Sequence, residues 1–231
     1  MIDGEGLTYE RMAPGHLGQV ASLHEACFPD YYLTRLGTSF LKAMYGWYVK
    51  TPQAIAYVAL DSKGGVVGFV AGTTRVESYY RSLFGHQFGP LLWAVLGRLV
   101  RHPLLTWSQI WERKDLLLQA CGALLSAAPG APGDSAPGPD LGSPAASLVS
   151  IAVSPSHRRL GIARRLTELF LTDARQRGSE LVTLSVREDN LGARGFYEGL
   201  NWTEVAVSSE EYHGSLSITY QKATSEDHEP R

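Results

Sequence analysis

The 231-residue chain holds only two cysteines, Cys27 and Cys121, far apart and in no metal-ligand or redox spacing. This excludes a disulfide-stapled scaffold and a thiolate zinc site, and it fits two thiols in a reducing compartment. Net charge is also scarce, at −2 with the histidines neutral, so nothing favours bulk binding of nucleic acid. No apolar run reaches the roughly 18–20 residues that span a bilayer. The longest, residues 91–105, is broken by Gly97, Arg98, Arg101, His102 and Pro103. The opening MIDGEGLTYERM lacks a basic segment followed by an apolar core, so no secretory signal is expected. Neither G-x-x-x-x-G-K-[ST] nor G-x-G-x-x-G occurs, which leaves a P-loop and a dinucleotide fingerprint without support. Together these absences predict a cytoplasmic protein that needs no metal.

What is present is an ordinary globular balance, with 44% hydrophobic and 19% charged residues. Residues 7–11 (LTYER) alternate as a short strand, and Leu17, Val20, Ala21, Leu23 and Cys27 form the apolar stripe of a helix over 14–27. After a loop at Pro29–Asp30, Phe40, Leu41, Met44, Tyr45 and Tyr48 mark a second helix. The pattern then changes: AIAYVAL (54–60) and VVGFVAGT (66–73) are β-rich runs that read as strands joined by the turn DSKGG. Further on, 146–153 reads as a strand, and Ile162, Leu166, Leu169, Phe170 and Ala174 as one face of a helix closed by Gly178. Residues 181–186 (LVTLSV) are a strand, 191–200 a short helix, and 202–207 and 216–221 the closing strands. The chain is expected to be a single domain over 1–222, with a disordered acidic tail at 223–231.

One long segment interrupts this pattern. Residues 75–125 read as a helical insertion, opened at Pro90 and Pro103 and rich in Tyr79, Tyr80, Phe84, Phe88, Trp93, Trp107 and Trp111. Residues 126–145 are mostly Ala, Pro, Gly and Ser, a composition that buries almost nothing and predicts a flexible loop. Four roles are open for the insertion: capping an acceptor pocket, joining a homodimer, lying on a membrane surface, or packing on the core with no direct role. Its interspersed arginines favour protein over membrane.

The most informative stretch is 150–165, SIAVSPSHRRLGIARR. An apolar strand enters a basic turn that opens directly into an amphipathic helix. The first N–H groups of a helix are unpaired and lie at the positive end of its dipole, which makes them an anion site. Gly161 allows close approach of the backbone to a phosphate, and Ala163 is the next smallest choice at the second point of approach. Arg158, Arg159, Arg164 and Arg165, with no acid among residues 154–167, complement a pyrophosphate.

Arg158, Arg159, Leu160, Gly161, Ile162 and Ala163 match R/Q-x-x-G-x-G/A, and this run resembles the signature of the GNAT superfamily of N-acetyltransferases. Downstream, Asn190, Ala193, Phe196, Tyr197 and Glu198 are similar to that family's N-x-x-A-x-x-F-Y-E segment. Where the family ends this helix with Gly-Phe the chain has Asn201-Trp202, and Asn is the best non-glycine residue for a left-handed cap. The resemblance covers roughly 7–74 and 146–222. It implies an α+β fold with a mixed, mostly antiparallel central sheet flanked by helices, and the insertion between strands three and four. It also implies acetyl-CoA as co-substrate. The turn would hold its pyrophosphate, Ile151, Ala152 and Val153 would pair with the pantetheine arm, and Asn190 would stand near that arm. Tyr197 takes the position of the proton donor to the leaving thiolate. Its ordinary pKa near 10 keeps it protonated at neutral pH.

The base that receives the amine proton is not legible, because residues 141–157 contain no Glu or Asp. Asp30, Tyr31 and Tyr32 in the loop between the first two helices, and Glu211, Tyr212 and His213 between the last strands, are the candidates. The leading expectation is acetylation of a small primary amine such as an amino sugar. The alternatives are a protein N-terminus or lysine, or a non-catalytic acyl-CoA-binding or interaction module.

Overall fold

The protein is described from a computed structural model, which covers residues 6–75, 145–208 and 216–225. β1 (Thr8–Arg11) leads through a 3-10 turn at Pro14–His16 into α1 (Leu17–Cys27), a single turn α2 (Tyr32–Arg35) and α3 (Thr38–Lys50). Two strands follow, β2 (Ala54–Leu60) and β3 (Val66–Thr73), and then β4 (Ala145–Val153). A second 3-10 turn (Pro155–His157) precedes α4 (Ile162–Gln176), β5 (Leu181–Arg187), α5 (Leu191–Glu198), β6 (Thr203–Val207) and β7 (Ser217–Ala223). The expected insertion and its Pro/Gly loop fall almost wholly in residues 76–144, outside the described residues. β7 runs through Ala223, and the Thr224 N–H bonds Glu180 C=O at 2.9 Å. The sheet therefore extends past the domain end expected at 222.

The sheet has seven strands in the order β1-β2-β3-β4-β5-β7-β6, and every pairing is antiparallel except β4 with β5. The α+β architecture expected from the sequence is the one observed. AIAYVAL lacks polar alternation because both faces of β2 are covered. Ala54, Ala56 and Val58 pack with α1 and α3, while Ile55 and Ala59 pack with α4. The loop after Pro29, expected to be irregular, contains the single turn α2, held by Thr34 Oγ1 donating to Phe28 C=O at 2.6 Å. In the β2–β3 hairpin, Asp61 Oδ1 accepts from the N–H groups of Lys63 and Gly65, at 2.9 and 2.8 Å.

α4 lies unusually close to β3. A Cβ on Gly72 would stand 2.1 Å from Ser147 O and 2.6 Å from the Phe170 ring, and one on Gly68 would stand 2.9 Å from Ile162 Cγ2. On the same helix, buried Asp173 accepts from Arg177 Nε at 2.9 Å and pairs with Arg11 at 3.0 Å. Desolvation alone would raise its pKa, but the two arginines outweigh it and hold the carboxyl below the ordinary value. Among the described residues no helix is long and apolar enough to cross a membrane.

Candidate active site

β4 and β5 are parallel neighbours for only three residue pairs, Ala145–Leu181, Ala146–Val182 and Ser147–Thr183. Beyond Ser147 they part, because each follows a different partner. β3 stays with β4 as far as Val153, and β7 stays with β5 as far as Arg187. The divergence begins at a β-bulge: Ala71 faces Ser150 and Gly72 faces Leu148, so Val149 is the extra residue and is 45% exposed. A bulge bends its strand and increases local twist. The result is a wedge whose β4 side, from Ser150 to Val153, has no strand partner across the gap among the described residues. Such an edge can receive an extended chain as an added strand.

The basic turn stands at the open end of the wedge. Two residues in three have left-handed backbone, Arg159 at φ 64° and Gly161 at φ 74°. Arg159 holds that conformation against a cost of about 1–2 kcal/mol for an L side chain, the kind of strain that marks functional turns. The first intrahelical bond of α4 runs from Arg165 N–H to Gly161 C=O at 3.0 Å. The amides of Ile162, Ala163 and Arg164 therefore have no intrahelical acceptor. Gly161 offers no side-chain cap, no acid sits in the first turn, and the Cβ position of Gly161 opens on empty space. An anion of phosphate size fits these donors. Arg158, Arg159 and Arg164 are exposed around the turn, whereas Arg165 pairs with Glu168 at 3.2 Å. Leu160 is exposed and the Ile162 side chain is core, so Ile162 can offer a ligand only its backbone.

Tyr197 is 4% exposed and packs edge-on against Phe196 and Trp202, with Tyr220 behind. It belongs to the apolar cluster on which Ile151 and Val153 of β4 also pack, although the sequence separates the two segments by more than forty residues. Burial pushes its phenol well above the ordinary range, so the group is a donor at neutral pH and not a base. Asn190 caps α5, its Oδ1 accepting from Ala193 N–H at 3.1 Å. That use commits its acceptor oxygen and leaves the amide N–H₂ as its hydrogen-bonding group toward a ligand. Asn201 has the expected left-handed backbone at φ 58°.

Of the base candidates, Asp30 and Tyr31 lie within electrostatic reach of Arg187 at the end of β5, where Arg187 Nε bonds Asp189 Oδ1 at 3.0 Å. The side chain of Tyr32 and residues Glu211, Tyr212 and His213 lie outside the described residues. The sequence reading missed a polar chain on the opposite face of β4, formed by His24, Tyr45 and Ser150. Tyr45 Oη lies 2.7 Å from His24 Nδ1 and 3.3 Å from Ser150 Oγ. A signal was present: His24 falls on the apolar face of α1, four residues after Val20. Cys27, half-buried, directs its thiol to Val153 C=O at 3.6 Å. Burial raises that thiol's pKa against the pull of Arg158.

A parallel strand pair thus parts beside an uncapped, basic helix N-terminus. The acetyltransferase (GNAT) family model matches residues 108–202, a span that takes in β4, the basic turn, α4, β5 and α5. That stretch of the chain is similar to the family. A curated relative, the [ribosomal protein bS18]-alanine N-acetyltransferase of Escherichia coli, is 34% identical over 67 residues, 29% of this chain and 45% of its own. The chain thus spans about half the length of the curated relatives it matches. The solved structure of the E. coli ribosomal-protein-S18-alanine N-acetyltransferase shares the fold, with a TM-score of 0.55 at 12% identity over 95% of this chain and 94% of that one. So does SsHAT, with a TM-score of 0.61 at 20% identity over 96% and 100%. Naa20 of Chaetomium thermophilum, solved with a bisubstrate analogue, gives 0.54 at 20% identity over 94% and 86%.

Proposed function

We propose that the chain is an N-acetyltransferase that uses acetyl-CoA and acts on the α-amine of a protein or peptide. The observation that carries the donor half is the parting of β4 and β5 directly beside the uncapped N-terminus of α4. The amides of Ile162, Ala163 and Arg164 take the pyrophosphate, with Arg158 and Arg159 adding charge. The free edge at Ile151–Val153 pairs with the amides of the pantetheine arm, and the Asn190 amide flanks it. When bound, acetyl-CoA supplies the acetyl group as an activated thioester. Tyr197, kept protonated by burial, gives its proton to the departing sulfur. The acceptor half leans on the curated relatives, which are named for acetylating an alanine of a ribosomal protein. They favour a polypeptide amine over the amino sugar expected first.

Wild type should acetylate an alanine-headed peptide faster than glucosamine or an N-terminally blocked lysine peptide. Tyr197→Phe keeps the ring and removes the proton donor, so kcat should fall roughly 100- to 10,000-fold with CoA affinity unchanged. Absence of CoA binding by calorimetry, or thioester cleavage at background rate with every amine, would overturn this reading.

A further inference from the structure

We propose that the Ser150 hydroxyl receives the acceptor amine, and that Tyr45 and His24 are the positioning residues that hold it; this deepens the acetyltransferase reading and rests on it. Ser150 is the first residue after the bulged Val149, at the point where β4 has left β5. It is half-buried, and its Oγ meets a group from the α1/α3 layer, on the face opposite α4. With no carboxylate in residues 141–157, no acidic side chain from β4 or its flanks can meet an incoming amine. Ser150 is the polar side chain that β4 presents on this face of the wedge.

The chain behind Ser150 is costly to build, which argues against incidental packing. Tyr45 is fully buried beside Phe69 and Tyr48, and His24 is 5% exposed between Phe28 and Tyr45. His24 Nε2 is buried with no hydrogen-bond partner among the described residues. An imidazole in an apolar layer with one nitrogen unsatisfied costs stability, so its place there calls for a reason. Here Nδ1 bonds Tyr45 Oη at 2.7 Å, a tight contact that fixes the phenol. The next link, 3.3 Å to Ser150, is long for O–H···O, so Ser150 can turn toward a ligand without giving up a strong bond.

Proton energetics decide between relay and positioning. Desolvation lowers the His24 pKa to about 4, so the ring is neutral at physiological pH and cannot be the proton's destination. Whichever way the two bonds point, Ser150 keeps at least one lone pair for an amine N–H, because a hydroxyl has two acceptor positions and one donor. Ser150 therefore orients a neutral amine with its own lone pair toward the thioester carbon. In the transfer the N–C bond forms and the C–S bond breaks. The amine proton leaves to water, and the sulfur takes the proton of Tyr197, which solvent restores.

The test uses acetyl-CoA and an alanine-headed peptide. Ser150→Ala should weaken the peptide, as KM or as calorimetric affinity for the CoA complex, by about three- to tenfold, the range of one hydrogen bond. CoA affinity should not move. Tyr45→Phe should act in the same direction, and the double variant should be no worse than Ser150→Ala alone, because Tyr45 works through Ser150. Ser150→Thr, which keeps the hydroxyl, should restore most of the loss. If wild type acetylates the peptide and Ser150→Ala matches it in KM and kcat, or if the two single losses multiply, this proposal fails while the acetyltransferase reading stands. A wild type that binds CoA but transfers to no amine would sink both. Should Tyr45→Phe fold poorly, the half-buried Ser150→Ala and Ser150→Thr pair still decides.

Discussion

β4 presents two faces that the fold treats differently. Toward α4 it is apolar and close-packed, through two glycines of β3 that admit Ile162 and Phe170 almost to backbone contact. Toward α1 and α3 it meets a buried polar chain that ends in a nitrogen unsatisfied among the described residues. The first face fixes the angle of α4 and so aims its N-terminal amides. It works through shape, and shape tolerates no added atoms. The second face works through a few hydrogen bonds in a dry layer, and it responds to protons. We propose that the chemistry divides the same way, with the donor held from the α4 side and the acceptor amine met by Ser150 on the α1/α3 side.

The largest effect should come from breaking the shape of the α4 face. Gly72→Ala places a carbon 2.1 Å from a backbone oxygen, which no rotamer change relieves. A loss of about 3 kcal/mol or more is expected, at or beyond the upper end of ordinary overpacking. Denaturant melts should show it, and a shift below 1 kcal/mol would mean that β4 and the Phe170 ring of α4 are not seated against β3 in this way.

Acid should probe the other face. An unfolded chain protonates His24 near its ordinary 6.5, whereas the folded protein resists down to about 4. Between those values the unfolded state binds more protons, so stability falls as pH drops from about 6.5 to about 4, by roughly 3 kcal/mol in all. Asp173, held below its ordinary value, adds its own loss only lower, as pH falls through the carboxylate range. His24→Gln should flatten the upper part of the curve. An unchanged slope would place His24 in contact with water.

The smallest effect belongs to the turn that links the two faces. Gly161→Ala forces an alanine to φ 74° with open space around its Cβ, so strain alone acts, about 1 kcal/mol. The same variant should gain less melting temperature from added CoA than wild type does. An equal gain would remove Gly161 from the pyrophosphate site.

Much of this molecule was legible along the chain. Apolar stripes at helical spacing, apolar or β-rich runs and turn residues located the described strands and the helices longer than one turn, and the run 158–163 pointed to the basic turn, because a helix N-terminus makes its anion site from consecutive residues. The cap at Asn201 followed from the tolerance of Asn for left-handed backbone. α2 was missed because a single turn has no room for a period. The Asp173–Arg11–Arg177 cluster, the Val149 bulge and the His24–Tyr45–Ser150 chain left no local pattern. Their members sit up to 162 positions apart, and each one alone reads as an ordinary surface or core residue.

By itself the sequence determined what local chemistry can encode: the elements, the left-handed cap at Asn201, the basic helix start and a tyrosine whose ordinary pKa keeps it protonated. Tertiary structure alone decided where β4 and β5 part, since that depends on β3 and β7 pulling neighbouring strands in different directions. It also decided that Ile151 packs on the cluster to which Tyr197 belongs, and that Ser150 meets a phenol from α3. Strand divergence and side-chain proximity arise from packing between distant segments, and no stretch of the chain carries that information alone.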